Sequence, residues 1–388
     1  MRVRWRRIGL AILVLLALLL AWEPSRVAMQ TAMLLPTLID AGRPLNLVTA
    51  PPTRSTVPYW EPSGPREDAE LAELWLPNWA SPERRAGAML LVFGVNDQGR
   101  NHPAIMRVAE GLARSGVAVL VPEWRSMIEG RLRGGEPEKI AAAFDLLAER
   151  PEVDPERVGI FGFSVGGSLT LVAAADPAIA DRIAWLDAFG AYADTSSYLA
   201  SVASHAYIGA DGSAVAWEPA ELTRRVFKDF MLDEVDRDAD RRALQGAYAN
   251  AIMLGVRLAP NTALRDRLGS DGRAVYDLLM SSSWDEARAA VDALPTSTRR
   301  IIGDISPLEH LDGLGTKVYL MHEVADRWVP FVESQELAVA LDSDGRLQTH
   351  TEFRLFDHVQ PEDLDPMAAA PELWKLLWHL HELMTETL

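Results

Sequence analysis

The chain has 388 residues, of which 48% are hydrophobic and 24% charged, and it contains no cysteine. This is the composition of a globular protein and excludes a disordered or collagen-like chain, while the missing cysteine excludes disulfides and thiolate chemistry. The net charge of −17 argues against nucleic-acid binding, because such binding requires a basic surface.

The N-terminus has the pattern of a targeting segment. Arginines occupy positions 2, 4, 6 and 7, and Ile8–Trp22 is an uncharged apolar run. As a helix, this run would extend about 22 Å, which is short of the ~30 Å hydrocarbon core of a bilayer. Residues 1–24 are therefore a signal-anchor, or a signal peptide whose cleavage leaves a secreted protein. We expect the anchor, a transmembrane helix that holds the rest of the chain outside the cytoplasm, with the apolar stretch Val27–Ile39 along the membrane surface.

Strand and helix signals then alternate along most of the chain. Residues 25–87 form a connection with early strands: a proline-rich irregular segment with edge-strand material at 43–66, then a strand within Glu70–Trp79. Short apolar runs bounded by turn residues predict further strands, and runs with helical spacing predict helices. The predicted strands are Ala88–Gly94, Val117–Val121, Val158–Phe163, Ile183–Phe189, Lys317–Met321 and Thr351–Phe356, and the predicted helices are Ile105–Ser115, Glu138–Arg150, Ser168–Ala175 and Leu373–Met384.

The alternation of strands and helices predicts an α/β fold with one long interruption. Strands that are apolar on both faces indicate a mainly parallel central sheet flanked by helices. Between residues 195 and 305 we find no convincing strand, and the spacing of apolar residues is helical. Because this stretch far exceeds an ordinary loop, we expect a helical insertion at 195–305 between two core segments, 88–194 and 306–388.

The strongest local signal is Gly162-Phe163-Ser164-Val165-Gly166, which fits G-x-S-x-G. An apolar strand precedes it and a helix of small residues follows. This is the strand–turn–helix context in which a serine is held on a tight turn with its hydroxyl exposed. Ser164 is therefore a candidate nucleophile, and the alternative is a glycine-rich turn with an incidental serine.

A serine nucleophile needs a histidine base and a carboxylate that orients it. Of the eight histidines, His358 directly follows the last predicted strand. Asp326 lies on the loop after the strand Lys317–Met321, with Glu323 as the competing acid. Because strand-end loops of a parallel sheet meet at one edge, Ser164, Asp326 and His358 should lie together.

The residues of these loops also bear on a metal site and on an oxyanion hole. His322-Glu323-x-x-Asp326 is similar to the zinc motif H-E-x-x-H, but its last position is Asp and the segment is a poor helix, so we expect neither a metal nor a cofactor. An oxyanion requires two backbone N–H donors. We expect one from Val165 and the other from the loop after Ala88–Gly94, at Val95 or Asn96, with Val95 preferred.

Together these residues resemble the α/β-hydrolase superfamily, in particular its dienelactone-hydrolase and prolyl-oligopeptidase-like branches. The resemblance rests on Val153–Gly167 and on the loop around Asp326, which is similar to H-G-x-x-D-x-x-V-P. It covers roughly 88–191 and 315–384 and implies that 195–305 is a helical cap lining much of the substrate site. Two residues depart from the family pattern: Phe93 stands where many members have His, and Glu323 where the loop usually has Gly.

The pattern predicts a serine hydrolase with a Ser164–Asp326–His358 triad that forms an acyl-enzyme from a small carboxylic ester or related acyl substrate. Two alternatives remain open. The same triad could serve an acyltransferase or a peptidase, or the chain could be a non-catalytic, membrane-tethered binding domain on a hydrolase fold.

Overall fold

The computed structural model describes residues 23–59, 70–132, 134–253, 260–361 and 366–388. Its centre is one sheet built from β1 (Thr53–Tyr59), β2 (Glu70–Leu76), β3 (Ala86–Val92), β4 (Ala118–Pro122), β5 (Val153–Phe163), β6 (Trp185–Phe189), β9 (Lys317–Glu323) and β10 (Leu347–Phe353). The spatial order is β1-β2-β4-β3-β5-β6-β9-β10. β2 pairs antiparallel with both β1 and β4, and all other neighbours in this sheet are parallel.

Helices fill most of the connections between these strands. Those outside the long insertion are α1 (Glu23–Leu38), α2 (Leu45–Val48), α3 (Pro103–Arg114), α4 (Arg125–Glu129), α5 (Glu136–Ala148), α6 (Val165–Ala173), α14 (Val332–Ser343) and α15 (Pro366–Thr387). Short 3-10 turns occur at Gly99–Asn101, Ala180–Arg182, Pro307–Glu309 and Leu311–Gly313. A two-stranded ribbon, β11 (Phe356–Asp357) and β12 (Gln360–Pro361), follows β10.

Both faces of the sheet are apolar, because alternate residues of the inner strands enter two different cores. In β3, Leu90 belongs to the core under α5, α6 and α14, whereas Met89 and Leu91 belong to the core under α1, α3 and α15. We call this second core the α1/α3/α15 layer. Its helical side chains include Leu34, Leu112 and Leu380. The two-sided burial explains the unbroken apolar runs in the sequence.

The stretch between β6 and β9 is mainly helical, as expected, but it also contains a small hairpin. Its helices are α7 (Thr195–Ser204), α8 (Glu221–Asp233), α9 (Asp238–Met253), α10 (Thr262–Arg265), α11 (Ser270–Leu279), α12 (Trp284–Asp292) and α13 (Thr296–Asp304). The hairpin pairs β7 (Ala206–Ile208) with β8 (Ala214–Ala216), which corrects the expectation of no strand. β8 is exposed, so it lacks the apolar signal that marks a buried strand.

The predicted membrane anchor is contradicted. Across the described ranges, no helix combines the length and apolarity needed to cross a membrane. The predicted location of the rest of the chain outside the cytoplasm depended on this anchor and is contradicted with it. The run Ile8–Trp22 itself lies outside the described residues. The stretch Val27–Ile39 was also misassigned to a membrane surface, because Val27 and Leu34 are buried in the α1/α3/α15 layer.

Candidate active site

Ser164 occupies a strained turn between β5 and α6. Its φ is 56° and its ψ −136°, a conformation that residues with a side chain rarely adopt. The two flanking glycines make room for this turn. A Cβ on Gly162 would lie 2.6 Å from the Gly167 Cα, and one on Gly166 would lie 2.7 Å from the Phe93 carbonyl oxygen. The G-x-S-x-G spacing is thus a steric requirement of this turn.

His358 lies in the turn between β11 and β12, also with a positive φ, of 60°. Its Nδ1 is 2.5 Å from the Oδ2 of Asp326. Its ring is buried and stacks on Trp328, with centroids 5.4 Å apart and planes 12° apart. Among the described residues, Nε2 has no hydrogen-bond partner. One nitrogen is therefore fixed by a carboxylate, and the other is available.

Asp326 is held from several sides. Its Oδ1 accepts hydrogen bonds from the N–H groups of Trp328 (2.6 Å) and Val329 (3.1 Å). Its Oδ2 faces His358 and also lies 3.3 Å from the Nε2 of His322. Burial alone would raise the pKa of Asp326, but the two histidines outweigh burial and hold that pKa well below the usual range. Asp326 is therefore ionised throughout the neutral range.

Glu323, the competing acid, has a different set of partners. Its Oε2 accepts from the N–H groups of Leu355 (2.7 Å) and Phe356 (2.9 Å), and its Oε1 accepts from Ala325 N–H (3.1 Å). These amides belong to the segment that leads into His358 and to the loop that carries Asp326. The Glu323 carboxylate thus links two loops through hydrogen bonds. This is a structural role for a glutamate at a position where the family pattern usually has Gly.

The zinc-like motif does not form a metal cluster. The His322 Nε2 lies 3.0 Å from the carbonyl oxygen of Val329, and Glu323 is committed to backbone amides. In the portions of the chain that the structure describes, no group of three His, Asp or Glu side chains is arranged to hold a metal ion.

The two predicted oxyanion donors belong to segments that lie next to Ser164. Val165 is the first residue of α6, where helix geometry leaves the N–H without a partner inside the helix. Val95 is on the loop after β3, and this loop passes next to the serine: a Cβ on Gly94 would lie 2.8 Å from the Ser164 Cβ. Asn96, the other candidate, uses its side-chain oxygen to accept from Gln98 N–H.

Ser164 and His358 open into one cavity of about 240 Å³. Its walls come mainly from the sheet and from helices α1, α3 and α15, and no described residue of the 195–305 insertion contributes to them. The expectation that the insertion lines much of the site is therefore wrong for this cavity. Met231 is fully buried in the core instead, and Trp217 donates its indole N–H to the Asp326 carbonyl oxygen at 2.7 Å.

Three features of the site escaped sequence reasoning. The sequence pattern presents His322 only as a metal ligand and does not point to Trp328 or to Gly190, which lies directly after β6. A Cβ on Gly190, whose φ is +68°, would lie 2.8 Å from the His358 Cε1. A glycine at the end of a buried strand could have signalled this close approach.

The strand order, the serine on its strained turn and the positions of Asp326 and His358 on later strand-end loops are those of the α/β-hydrolase fold. Residues 114–181 match the model of the prolyl oligopeptidase family, Peptidase S9. A Bacteroides ovatus protein assigned as a dipeptidyl aminopeptidase IV is similar in structure, with a TM-score of 0.50 and 11% identity over 89% of this chain and 37% of that one. The predicted resemblance to the prolyl-oligopeptidase-like branch of the α/β-hydrolases is thereby confirmed.

Two further solved structures are similar at lower TM-scores. Dipeptidyl peptidase 4 from Porphyromonas gingivalis has a TM-score of 0.48 at 13% identity, over 85% of this chain and 36% of that one. A puromycin-hydrolyzing peptidase from Mycobacterium tuberculosis has 0.46 at 16% identity, over 85% and 40%. No curated protein matches the sequence. The chain spans less than half the length of these structures.

Proposed function

We propose that the protein is a serine hydrolase that cleaves a carboxylic ester through an acyl-enzyme. Ser164 acts as nucleophile, His358 as general base and acid, and Asp326 orients His358. The observation that carries the proposal is the shared cavity. Ser164 and His358 both line it, while the Nδ1 of His358 is tied to a carboxylate and its Nε2 is not hydrogen-bonded to any described residue.

The reaction proceeds in two balanced halves. The Ser164 Oγ attacks the ester carbonyl carbon as its proton passes to the His358 Nε2, and the carbonyl oxygen becomes an oxyanion held by the N–H groups of Val165 and Val95. The carbon–oxygen bond then breaks, and the alcohol leaves with the proton from His358. Water repeats the sequence on the acyl-enzyme, which releases the carboxylic acid and restores the serine.

We further propose that residues 195–305 form a cap that fixes the Asp326 loop. Three hydrogen bonds support this role. Trp217 donates to the Asp326 carbonyl oxygen at 2.7 Å, Ala220 N–H donates to the Arg327 carbonyl oxygen at 2.7 Å, and the Tyr198 hydroxyl donates to the Trp328 carbonyl oxygen at 2.9 Å. The insertion therefore holds the backbone of Asp326 and of the two residues that follow it.

A peptidase is the second candidate, and the match of residues 114–181 to the Peptidase S9 model favours it. The same residues would attack an amide, with His358 protonating the leaving amine. Parallel assays with p-nitrophenyl esters and with the p-nitroanilides of matched acyl groups separate the two candidates. The ester proposal predicts turnover of the esters with little turnover of peptidyl anilides, whereas a peptidase would hydrolyse both.

The decisive variant is Ser164→Ala, with Ser343→Ala as its control. Ser343 lies at the end of α14, where its exposed hydroxyl donates to the Ala340 carbonyl oxygen. We expect Ser164→Ala to abolish hydrolysis of p-nitrophenyl acetate and Ser343→Ala to match the wild type. Turnover by Ser164→Ala at the wild-type rate would refute the assignment.

A further inference from the structure

The cavity at Ser164 continues far into the α1/α3/α15 layer. On the sheet side, Phe93, Leu91 and Met89 line it in turn. Met89 and Leu91 alternate along β3 and Phe93 directly follows this strand, so at 3.3 Å per residue the wall extends about 13 Å from the serine loop. The cavity is thus an elongated space under the sheet rather than a shallow cleft above it.

The opposite wall is made by helices and is also apolar. Val108 and Leu112 of α3 and Leu380 and Met384 of α15 line this side. Arg107 is the only Lys or Arg among the described lining residues, and its guanidinium is 3.1 Å from the Asp40 carboxylate and also donates to the Thr37 carbonyl oxygen. Its charge is therefore already paired.

The part of the cavity wall next to the serine includes several aromatic side chains. Phe163 directly precedes Ser164, and its ring centroid lies 4.7 Å from that of Phe161 and 6.0 Å from that of Phe189. Phe356 packs edge-on against Phe189 at 5.0 Å. A group attached to the carbonyl carbon at Ser164 would pass these rings to reach the aliphatic interior.

An apolar wall favours a hydrocarbon acyl group over a peptidyl group. A peptide carries an N–H and a carbonyl at every residue, and burying them without partners is costly. A hydrocarbon chain has no such groups and gains free energy from every buried methylene. We propose that the acyl part of the substrate is an unbranched hydrocarbon chain that lies in this cavity, so that the enzyme hydrolyses fatty-acyl esters. This inference rests on the proposed ester hydrolysis at Ser164.

The proposal fixes how the substrate lies. The carbonyl carbon sits at Ser164, the alkyl chain extends under the sheet, and the alcohol group stays on the outer side of His358, from which it receives its proton. Hydrolysis adds the elements of water across the ester bond and releases a free fatty acid and the alcohol. No oxidant, reductant or further co-reactant is required.

The test is a chain-length series with a cavity-filling variant. We expect kcat/KM of the wild type to rise from p-nitrophenyl acetate through butyrate to octanoate, at up to about fourfold per methylene while the chain stays inside the cavity. Val108→Trp should fill the space and lower the ratio of kcat/KM for octanoate to kcat/KM for acetate by at least about tenfold. Met106→Trp, on the same helix but not lining the cavity, should retain the wild-type profile.

The outcomes separate the two proposals. Acetate hydrolysis that survives in Ser164→Ala would overturn the proposed function. Ser164-dependent acetate hydrolysis with a flat chain-length profile, or with a profile that Val108→Trp leaves unchanged, would overturn the acyl-chain proposal alone. If Val108→Trp fails to fold by circular dichroism, inhibition of wild-type acetate hydrolysis by free carboxylic acids decides. Octanoate must inhibit more strongly than butyrate, and equal inhibition refutes the proposal.

Discussion

Replacing Asp326 by asparagine should nearly abolish turnover while leaving the fold intact. The carboxylate oxygen Oδ1 accepts from the N–H groups of Trp328 and Val329, so the asparagine oxygen will keep that position. Its amide NH₂ then faces the Nδ1 of His358, which at present lies 2.5 Å from Oδ2. A donor in that position forces His358 to present an unprotonated Nδ1 and therefore to carry its proton on Nε2.

That tautomer cannot accept the serine proton. The variant also loses the negative charge that stabilises the imidazolium formed during reaction. In other serine triads the equivalent change lowers kcat by about 10⁴, which corresponds to about 5 kcal/mol at 1.36 kcal/mol per decade. We expect a decrease of about 10³- to 10⁴-fold here, because Asp326 is buried, is ionised and has no described carboxylate competing for His358.

The assay is steady-state hydrolysis of p-nitrophenyl butyrate by purified wild type, Asp326→Asn and the exposed control Asp342→Asn. Circular dichroism and urea unfolding must show that Asp326→Asn remains folded, as expected from its preserved backbone hydrogen bonds. A kcat within about tenfold of the wild type would show that Asp326 does not orient the base.

Two further predictions concern buried glutamates. Glu323→Ala leaves the N–H groups of Leu355 and Phe356 without their acceptor, so urea unfolding should show a loss of about 2–6 kcal/mol, with kcat reduced as well. Glu323→Gln keeps one side-chain oxygen, so its free energy of unfolding should fall by only about 2 kcal/mol. Equal stability of both variants and the wild type would argue against the role of Glu323 in linking the two loops. Burial raises the pKa of Glu333 to about 8, against the hydrogen bonds from Ala193 and Asp194 that lower it. Between about pH 4.5 and 8 the unfolded chain therefore ionises more readily than the native state, so this residue lowers stability as pH rises through that window. Glu333→Gln removes this loss of stability. The unfolding free energy of the variant minus that of the wild type should therefore increase between pH 5 and pH 9, and a difference that stays constant over this range would contradict the raised pKa of Glu333.

The core strands and the position of the serine could be predicted because sterics and burial leave clear sequence patterns. The runs that became β3, β5 and β6 are apolar on both faces, and the glycines around Ser164 are required by backbone contacts of under 3 Å. Asp326 and His358 could be placed because both follow strands of a parallel sheet. Their roles in catalysis stay predictions.

The features that escaped prediction depend on tertiary contacts. β1 is mostly exposed and contains Pro58, so the sequence indicated only edge-strand material within 43–66 and not the bounds of this strand. Helix α1 follows an apolar run and was assigned to a membrane surface, yet the same apolar residues pack into the protein core. The cavity could not be predicted for a related reason. Residues such as Leu91 and Leu112 give the same apolar pattern in a sequence whether they fill a core or line a cavity.

Covalent labelling shows whether Ser164 is an activated nucleophile. The folded chain is treated with a fluorophosphonate, digested, and the modified peptide identified by mass spectrometry. The expected result is a single phosphonyl adduct on Ser164. Prior denaturation should abolish the labelling, and Asp326→Asn should slow it in parallel with kcat. An adduct on another residue, or no adduct on folded protein that hydrolyses esters, would contradict the role of Ser164 as nucleophile.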